Sequence, residues 1–273
     1  MKKTKIIAEI GINHNGCIEN AKRLIDTAVQ AGCDYAKFQK RTPEICVPEH
    51  QKSKIRVTPW GEITYIDYKE RIEFGKKEYD ELFRYVQDKP IDIFASVWDK
   101  PSVDFMKQYS GTMKIGSALI TDLELVKYAR DNSDILMIST GMSTEAEIEK
   151  CIKISNPDVV MHTNSTYPTP VHEVNLSYIK WLQNKWPSKQ IGYSGHEYGL
   201  TITFAAVAMG CEWIERHITL DRTMWGSDQL ASVEPQGLTK LVKGIRDIED
   251  ATGHQQPRIV FGGEEVKRLA LRK

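Results

Sequence analysis

The feature that most constrains this chain is a recurrence of short apolar runs, each four to six residues long, that alternate with stretches of helical period. They fall at residues 5–10, 34–39, 91–96, 112–116, 135–139, 159–163, 190–193 and 213–218. Runs this short, apolar on both faces, suit strands buried in a parallel sheet. Eight of them match an α/β chain closed into a (β/α)8 TIM barrel, whereas an open doubly wound sheet more often stops at about five or six. Between the runs, Ile18, Ala21, Ile25 and Ala28 recur at three- and four-residue steps, as do Leu238, Leu241, Val242, Ile245 and Ile248. Each such stretch presents one apolar stripe to a sheet. Thr144 with Glu147 three residues on reads as a capping box, opening a helix that continues through Ile148 and Ile152.

The 273 residues suit one barrel domain spanning 1–273. Residues 40–74 form an unusually long connection after the second run, carrying Pro43, Pro48 and Pro59. A long insertion at this position usually serves the active face. Residues 253–273 read as a basic, short helical tail.

Lys plus Arg and Asp plus Glu both number 37, so no net field draws the chain to nucleic acid or to an anionic membrane. The first apolar run is broken at Glu9, too early for a signal peptide or a membrane span, and a cytoplasmic location is expected. Five scattered cysteines with no C-x-x-C pair argue against a disulfide framework or a cysteine zinc site, and Cys33 and Cys151 read as small buried hydrophobes. The segment Gly11 to Gly16 is followed by Cys17 rather than by Lys-Ser/Thr, which excludes a nucleotide P-loop, and no G-x-S-x-G elbow occurs.

In a barrel the site lies where the strands end, and here nearly every run ends in polar residues. Glu9, Asn13 and His14 follow the first; Lys37 and Gln39 end the second; Ser96 ends the third; Lys114 and Ser117 close the fourth. Ser139 and Thr140 end the fifth, residues 162–167 follow the sixth, Ser194 and His196 the seventh, and Glu215, His217 and Asp221 the eighth. Lys37 and Lys114 lie inside strands, where an unpaired ammonium is costly. Either an anionic ligand or an ion pair with Glu9 or Glu215 would offset that cost. With the hydroxyls of Ser117, Ser139 and Ser194, the lysines would form a cage for a phosphate and a carboxylate. His196 and His217 end neighbouring strands, so their imidazoles could share one ion, with Glu9 and Asp228 as oxygen donors; two hydrogen-bonded histidines without metal are the alternative. Such a mixed set suits manganese, iron, cobalt or zinc better than calcium.

The segments AEIGINHNG, YAKFQ, MKIGS, STGMST, STYPTP, GYSGHEYG and ERHITLDRTMWGSDQLASVEP together resemble the sialic acid synthase family, from the first strand to about Pro235. That family consists of metal-dependent barrels that join phosphoenolpyruvate to an N-acetylhexosamine, releasing phosphate and forming a nine-carbon 2-keto-3-deoxy acid. The resemblance implies a transferase of this type here, acting on an aldose acceptor. It implies that His196 and His217 hold a divalent ion, manganese, with magnesium or cobalt as substitutes. Lys37, Lys114, Ser117, Ser139 and Ser194 match phosphoenolpyruvate-binding positions. Glu9, Gln39, Tyr167 and Asp228 match residues near the metal, the attacking water or the sugar; Glu9, Lys37 and Asp228 are thereby the catalytic candidates.

Departures from the pattern bear on the acceptor. Leu119 stands where the family usually has a glutamate. Ser165 replaces a common asparagine, with Asn164 beside it as a substitute, and Gln229 replaces a frequent histidine. The sequence also ends before the small antifreeze-like domain that completes the acceptor site in the family. The expectation is therefore that the barrel's own loops, residues 40–74 among them, close over the acceptor, and that the chain forms a homo-oligomer. Two rival readings keep the barrel: a Schiff-base aldolase using Lys37 or Lys114, and a non-catalytic sugar-acid-binding relative.

Overall fold

A computed structural model describes residues 3–253 and 257–272. Ten strands are numbered in chain order: β1 (Lys5–Gly11), β2 (Tyr35–Lys40), β3 (Ile55–Thr58), β4 (Gly61–Thr64), β5 (Asp92–Val97), β6 (Thr112–Ile115), β7 (Ile135–Ser139), β8 (Val159–Thr163), β9 (Gln190–Gly195) and β10 (Trp213–His217). All but β3 and β4 form a closed parallel barrel in the order β1-β10-β9-β8-β7-β6-β5-β2. The eight apolar runs are thus the eight barrel strands, with ends moved by at most two residues.

Period-two alternation divides the buried residues into two sets. One face of each strand, with residues such as Ile6, Ala8, Ala36, Phe38, Leu136, Ile138 and Val160, packs outward against the surrounding helices. The helix Ile18–Ala31 buries Ala21, Leu24, Ile25 and Ala28, and ends at Gly32, whose φ of 84° is the left-handed conformation glycine supplies at a helix C-terminus. The helix Pro235–Thr252 buries Leu238, Leu241, Val242 and Ile245. Thr144 and Glu147 make both bonds of the capping box ahead of the helix Glu145–Ser155. The other strand face points into the barrel, where Ile7, Phe94, Met137, Val159, Met161 and Trp213 form a separate apolar floor.

The long connection after β2 has its own architecture: short helices Pro43–Cys46 and Glu49–Lys52, the antiparallel hairpin β3–β4, and the helix Tyr65–Ile72. Its apolar side, Tyr68 and Ile72 with Trp60 and Ile63, packs on Ile12 after β1 and on Trp225 after β10. The insertion therefore leans over the mouth at the β1, β2 and β10 corner. Gly16 makes this approach feasible, because its φ is 70° and a Cβ there would lie 2.5 Å from the Arg71 carbonyl oxygen. The tail carries a helix, Gly262–Leu271, with no buried side chain; residues 254–256 and 273 of the expected tail lie outside the described residues. Among the described residues no helix is long and apolar enough to cross a membrane.

Candidate active site

Above the floor, the inward face turns polar within one step of the alternation. In β10, Trp213 belongs to the floor, Glu215 comes next and His217 reaches the mouth; in β2 the inward series is Tyr35, Lys37, Gln39. Glu9 of β1 is in register with both Lys37 and His217, so polar side chains from three adjacent strands meet at one level. Lys37 Nζ lies 2.6 Å from Glu9 and 3.7 Å from Glu215. It also donates to Ser96 Oγ at 2.7 Å. Lys114 Nζ lies 2.7 Å from Glu215, which also accepts from Ser194 Oγ at 3.1 Å. All four charged side chains are at most 4 % exposed. The ion pairing weighed from the sequence is thus present for both lysines.

This low-dielectric square shapes its own electrostatics. Burial drives the Glu9 carboxyl upward, more than Lys37 can offset. Burial acts on Glu215 in the same sense, but Lys114 and Lys37 outweigh it and hold that carboxyl well below the usual range. Burial also lowers the Lys114 ammonium against the pull of Glu215.

The square opens into a cavity of about 210 Å³ at the C-terminal mouth. Eleven of the thirteen sequence candidates line it: Glu9, Lys37, Gln39, Lys114, Ser117, Ser139, Ser165, Tyr167, Ser194, His196 and His217. Ser117 and Ser165 approach each other across Gly141, where a Cβ would lie 2.8 and 2.3 Å from their hydroxyls, so only glycine leaves this wall open. Gly11, at φ 55° beside an irregularity in β1, plays the same part on the opposite side: a Cβ there would lie 3.2 Å from Glu9 and Gln39 and 3.3 Å from the His217 ring.

The two histidine rings lie 5.4 Å apart, centroid to centroid. Burial lowers both imidazoles, His196 to about 3 and His217 in the same direction, which keeps them neutral. His196 Nδ1 is fixed 2.6 Å from the Asn164 carbonyl, an acceptor that leaves the Nε2 lone pair free, and His217 Nδ1 has no hydrogen-bond partner. Two neutral, converging imidazoles with uncommitted nitrogens fit two ligand positions of a divalent transition metal. Among the described residues no third His, Cys, Asp or Glu completes a cluster with them, so any further positions would fall to water or substrate. The Tyr167 ring covers His196, with centroids 4.0 Å apart.

Three residues stand apart from the cavity lining. The Asn164 side chain turns away from the cavity, accepting from Thr166 N and donating to the Glu173 carbonyl; its contribution to the site is its backbone carbonyl. Asp228 does not line the cavity and stands 3.9 Å from His217 Nδ1, beside the site rather than in it. Gln229, read as a determinant of substrate choice, is 1 % exposed and ties the loop after β10 to Thr219 and to the Asn13 carbonyl.

Other contributors were not singled out as site residues. Glu215 and Ser96 were visible as polar strand ends. Arg41 stacks on Trp98 at 4.5 Å, bonds Gln39 and pairs with Glu73, in an arrangement that depends on the fold of the insertion. Behind the histidines, Arg216 Nη1 lies 3.0 Å from Glu197, a buried outward-facing pair that joins the residues next to His217 and His196.

A closed parallel barrel with a buried cluster of paired charges and two imidazoles at its C-terminal mouth defines the class of (β/α)8-barrel enzymes. The chain belongs to the NeuB family, the sialic acid synthase family, whose profile matches residues 24–257. It is 36 % identical to an N-acetylneuraminate-9-phosphate synthase of Drosophila melanogaster, over 97 % of this chain and 74 % of that one. It is 34 % identical to an N,N'-diacetyllegionaminic acid synthase of Campylobacter jejuni, over 93 % and 78 %. Among solved structures, an N-acetylneuraminic acid synthetase from Leptospira borgpetersenii, crystallised with citrate, superposes with a TM-score of 0.87 at 34 % identity, covering 100 % of this chain and 93 % of that one.

Proposed function

We propose that this chain condenses phosphoenolpyruvate with an aldose of the N-acetylmannosamine type to give a sialic acid-like 2-keto-3-deoxy acid and phosphate. The observation that carries this reading is one cavity holding two buried lysines at its base and two neutral imidazoles at its rim. The names of the related enzymes support the same chemistry.

Lys37 and Lys114, with Ser117, Ser139 and Ser194, would hold the phosphate and carboxylate of phosphoenolpyruvate, whose own negative charges offset the positive charge that develops at C2. The C2–C3 π electrons of phosphoenolpyruvate form the new bond from C3 to the aldehyde carbon as the aldehyde C=O π bond breaks, and the resulting alkoxide takes a proton from solvent. Water adds to C2 and passes one proton to Glu9; the C–O bond to phosphate then breaks, the remaining hydroxyl proton leaves with the phosphate, and the ketone forms. His196 and His217 would hold the divalent ion, manganese with magnesium or cobalt as substitutes, whose chemistry when bound is Lewis-acid polarisation of the sugar aldehyde. Tyr167 and Gln39 line the side on which the sugar would lie, and Asp228 stands 3.9 Å from His217 Nδ1, outside the cavity.

The test is phosphate release from phosphoenolpyruvate over a panel of aldoses with manganese. The expected result is aldose-dependent release that stops in chelator, returns with metal and is lost in His217→Ala, whose circular dichroism stays that of the wild type. Absence of release with every aldose would favour a non-catalytic relative. A lysine adduct trapped by borohydride with pyruvate, together with chelator-resistant turnover, would replace the reading by a Schiff-base mechanism.

A further inference from the structure

A second hollow of about 770 Å³ lies beside the catalytic cavity, beneath the insertion. The two share Trp98, Ala118 and Leu119, so an acceptor whose aldehyde sits at the histidines would extend past these residues into the larger space. The shared wall offers no charged group, since Leu119 and Ala118 carry no hydrogen-bonding side chain and Trp98 brings a single indole N–H. Specificity for the acceptor's far end must therefore come from the groups beyond.

Most charges there are already committed. Asp99 and Asp122 cap helix N-termini. Lys100 pairs with Glu124 at 3.1 Å, and Arg41 with Glu73 at 3.5 Å. Lys69, on the helix Tyr65–Ile72, is the exception. It is 8 % exposed, lies 5.2 and 5.0 Å from the rings of Tyr65 and Tyr68, and has no carboxylate or hydrogen-bond acceptor among the described residues. Arg41 and Arg56 repel its charge, while Asp228 and Glu73 attract it only from a distance; burial, followed by Arg41, pushes the ammonium down to about 8. A buried, unpaired ammonium on the wall of a cavity is costly unless an anion occupies the space.

We propose that the hollow beneath the insertion binds the far end of the acceptor and that Lys69 recognises an anionic group there, making the acceptor a phosphorylated aldose rather than a neutral one. This rests on the condensation reading above and names the substrate class for that same site. Phosphoenolpyruvate contributes three carbons to the product, so a phosphate on C6 of a hexosamine would emerge on C9 of the acid.

The test is calorimetric titration of the full chain with N-acetylmannosamine 6-phosphate and with N-acetylmannosamine. Phosphoenolpyruvate is present to fill its own phosphate position, and the metal is chelated to prevent turnover. The phosphorylated sugar is expected to bind at least about tenfold more tightly, the effect of one charge-assisted hydrogen bond. Lys69→Met should erase the difference while Lys69→Arg retains it, with phosphoenolpyruvate affinity unchanged in both. Equal binding of the two sugars, no binding of the phosphorylated one, or a preference that survives in Lys69→Met would overturn the proposal. Phosphate release on adding manganese and either sugar reads the parent reaction separately, so loss of one conclusion does not disguise loss of the other.

Discussion

Glu215→Gln separates the two uses of the buried lysines. In the wild type, Glu215 is the carboxylate partner of Lys114 at 2.7 Å and stands 3.7 Å from Lys37, which keeps Glu9 at 2.6 Å. The amide preserves the shape and can still accept from Ser194, so the perturbation is chiefly the loss of one negative charge. Removing one member of a buried pair costs about 3–5 kcal/mol, because the other is left uncompensated. At roughly 2–4 °C per kcal/mol for a chain of this size, the melting temperature should fall by roughly 6–20 °C. The ligand should respond in the opposite direction. A unit charge about 4 Å away contributes about 4 kcal/mol at an effective dielectric near 20, so even a third of that, left after solvent and side-chain adjustment, tightens phosphoenolpyruvate binding at least about tenfold. Calorimetry measures both quantities, and the thermal loss should shrink at saturating phosphoenolpyruvate. A folded variant whose affinity for phosphoenolpyruvate is unchanged or weaker would refute the assignment of these lysines to the anion.

Two other substitutions test local geometry. Gly11→Ala combines a left-handed backbone with a Cβ 3.2 Å from Glu9 and Gln39; it should cost about 1–2 kcal/mol in denaturant unfolding and lower turnover at least about tenfold, whereas wild-type kcat would show that this wall tolerates displacement. His14, stacked on Phe74 at 4.0 Å, is held down to about 3 by burial and by Arg41. Its folded pKa is below its unfolded value, so the unfolded state binds more protons and stability falls as pH drops from about 6.5 toward 3, by about 1.4 kcal/mol per pH unit. His14→Phe should flatten that part of the stability curve, and an unaltered acid slope would show that other groups govern it.

What could be read from the sequence follows from what the strands determine. In β10 and β2 the alternation alone sends Trp213, Glu215 and His217, or Tyr35, Lys37 and Gln39, to one side. Once closure is inferred, the inward side is the site, and most candidates converge. The residues that stand apart from the cavity fall where register no longer acts. Asn164 lies just past β8, where its side chain satisfies a turn and only its carbonyl faces His196. Asp228 and Gln229 lie on the loop after β10, whose path is set by bonds to Asn13 and Thr219. Arg41 and Lys69 belong to a segment whose prolines conceal a hairpin and three helices, so their approach to Trp98, Tyr65 and Tyr68 depends on packing between distant parts of the chain.

The same separation bears on how specificity is divided across the molecule. The ionic square rests directly on an apolar floor, so its Coulomb interactions are strengthened from that side and its positions are fixed by strand register. An entering anion must compete with Glu9 and Glu215 for Lys37 and Lys114, which favours a ligand carrying both a phosphate and a carboxylate over one with a single charge. The barrel core is therefore suited to one invariant donor. The insertion is under no such constraint: it attaches through Tyr68 and Ile72 to a satellite cluster, and it carries the one cation at the second hollow without an acceptor among the described residues. Changes in that segment can alter which sugar is accepted without disturbing the buried charges, so acceptor identity should follow the insertion and donor identity the strands.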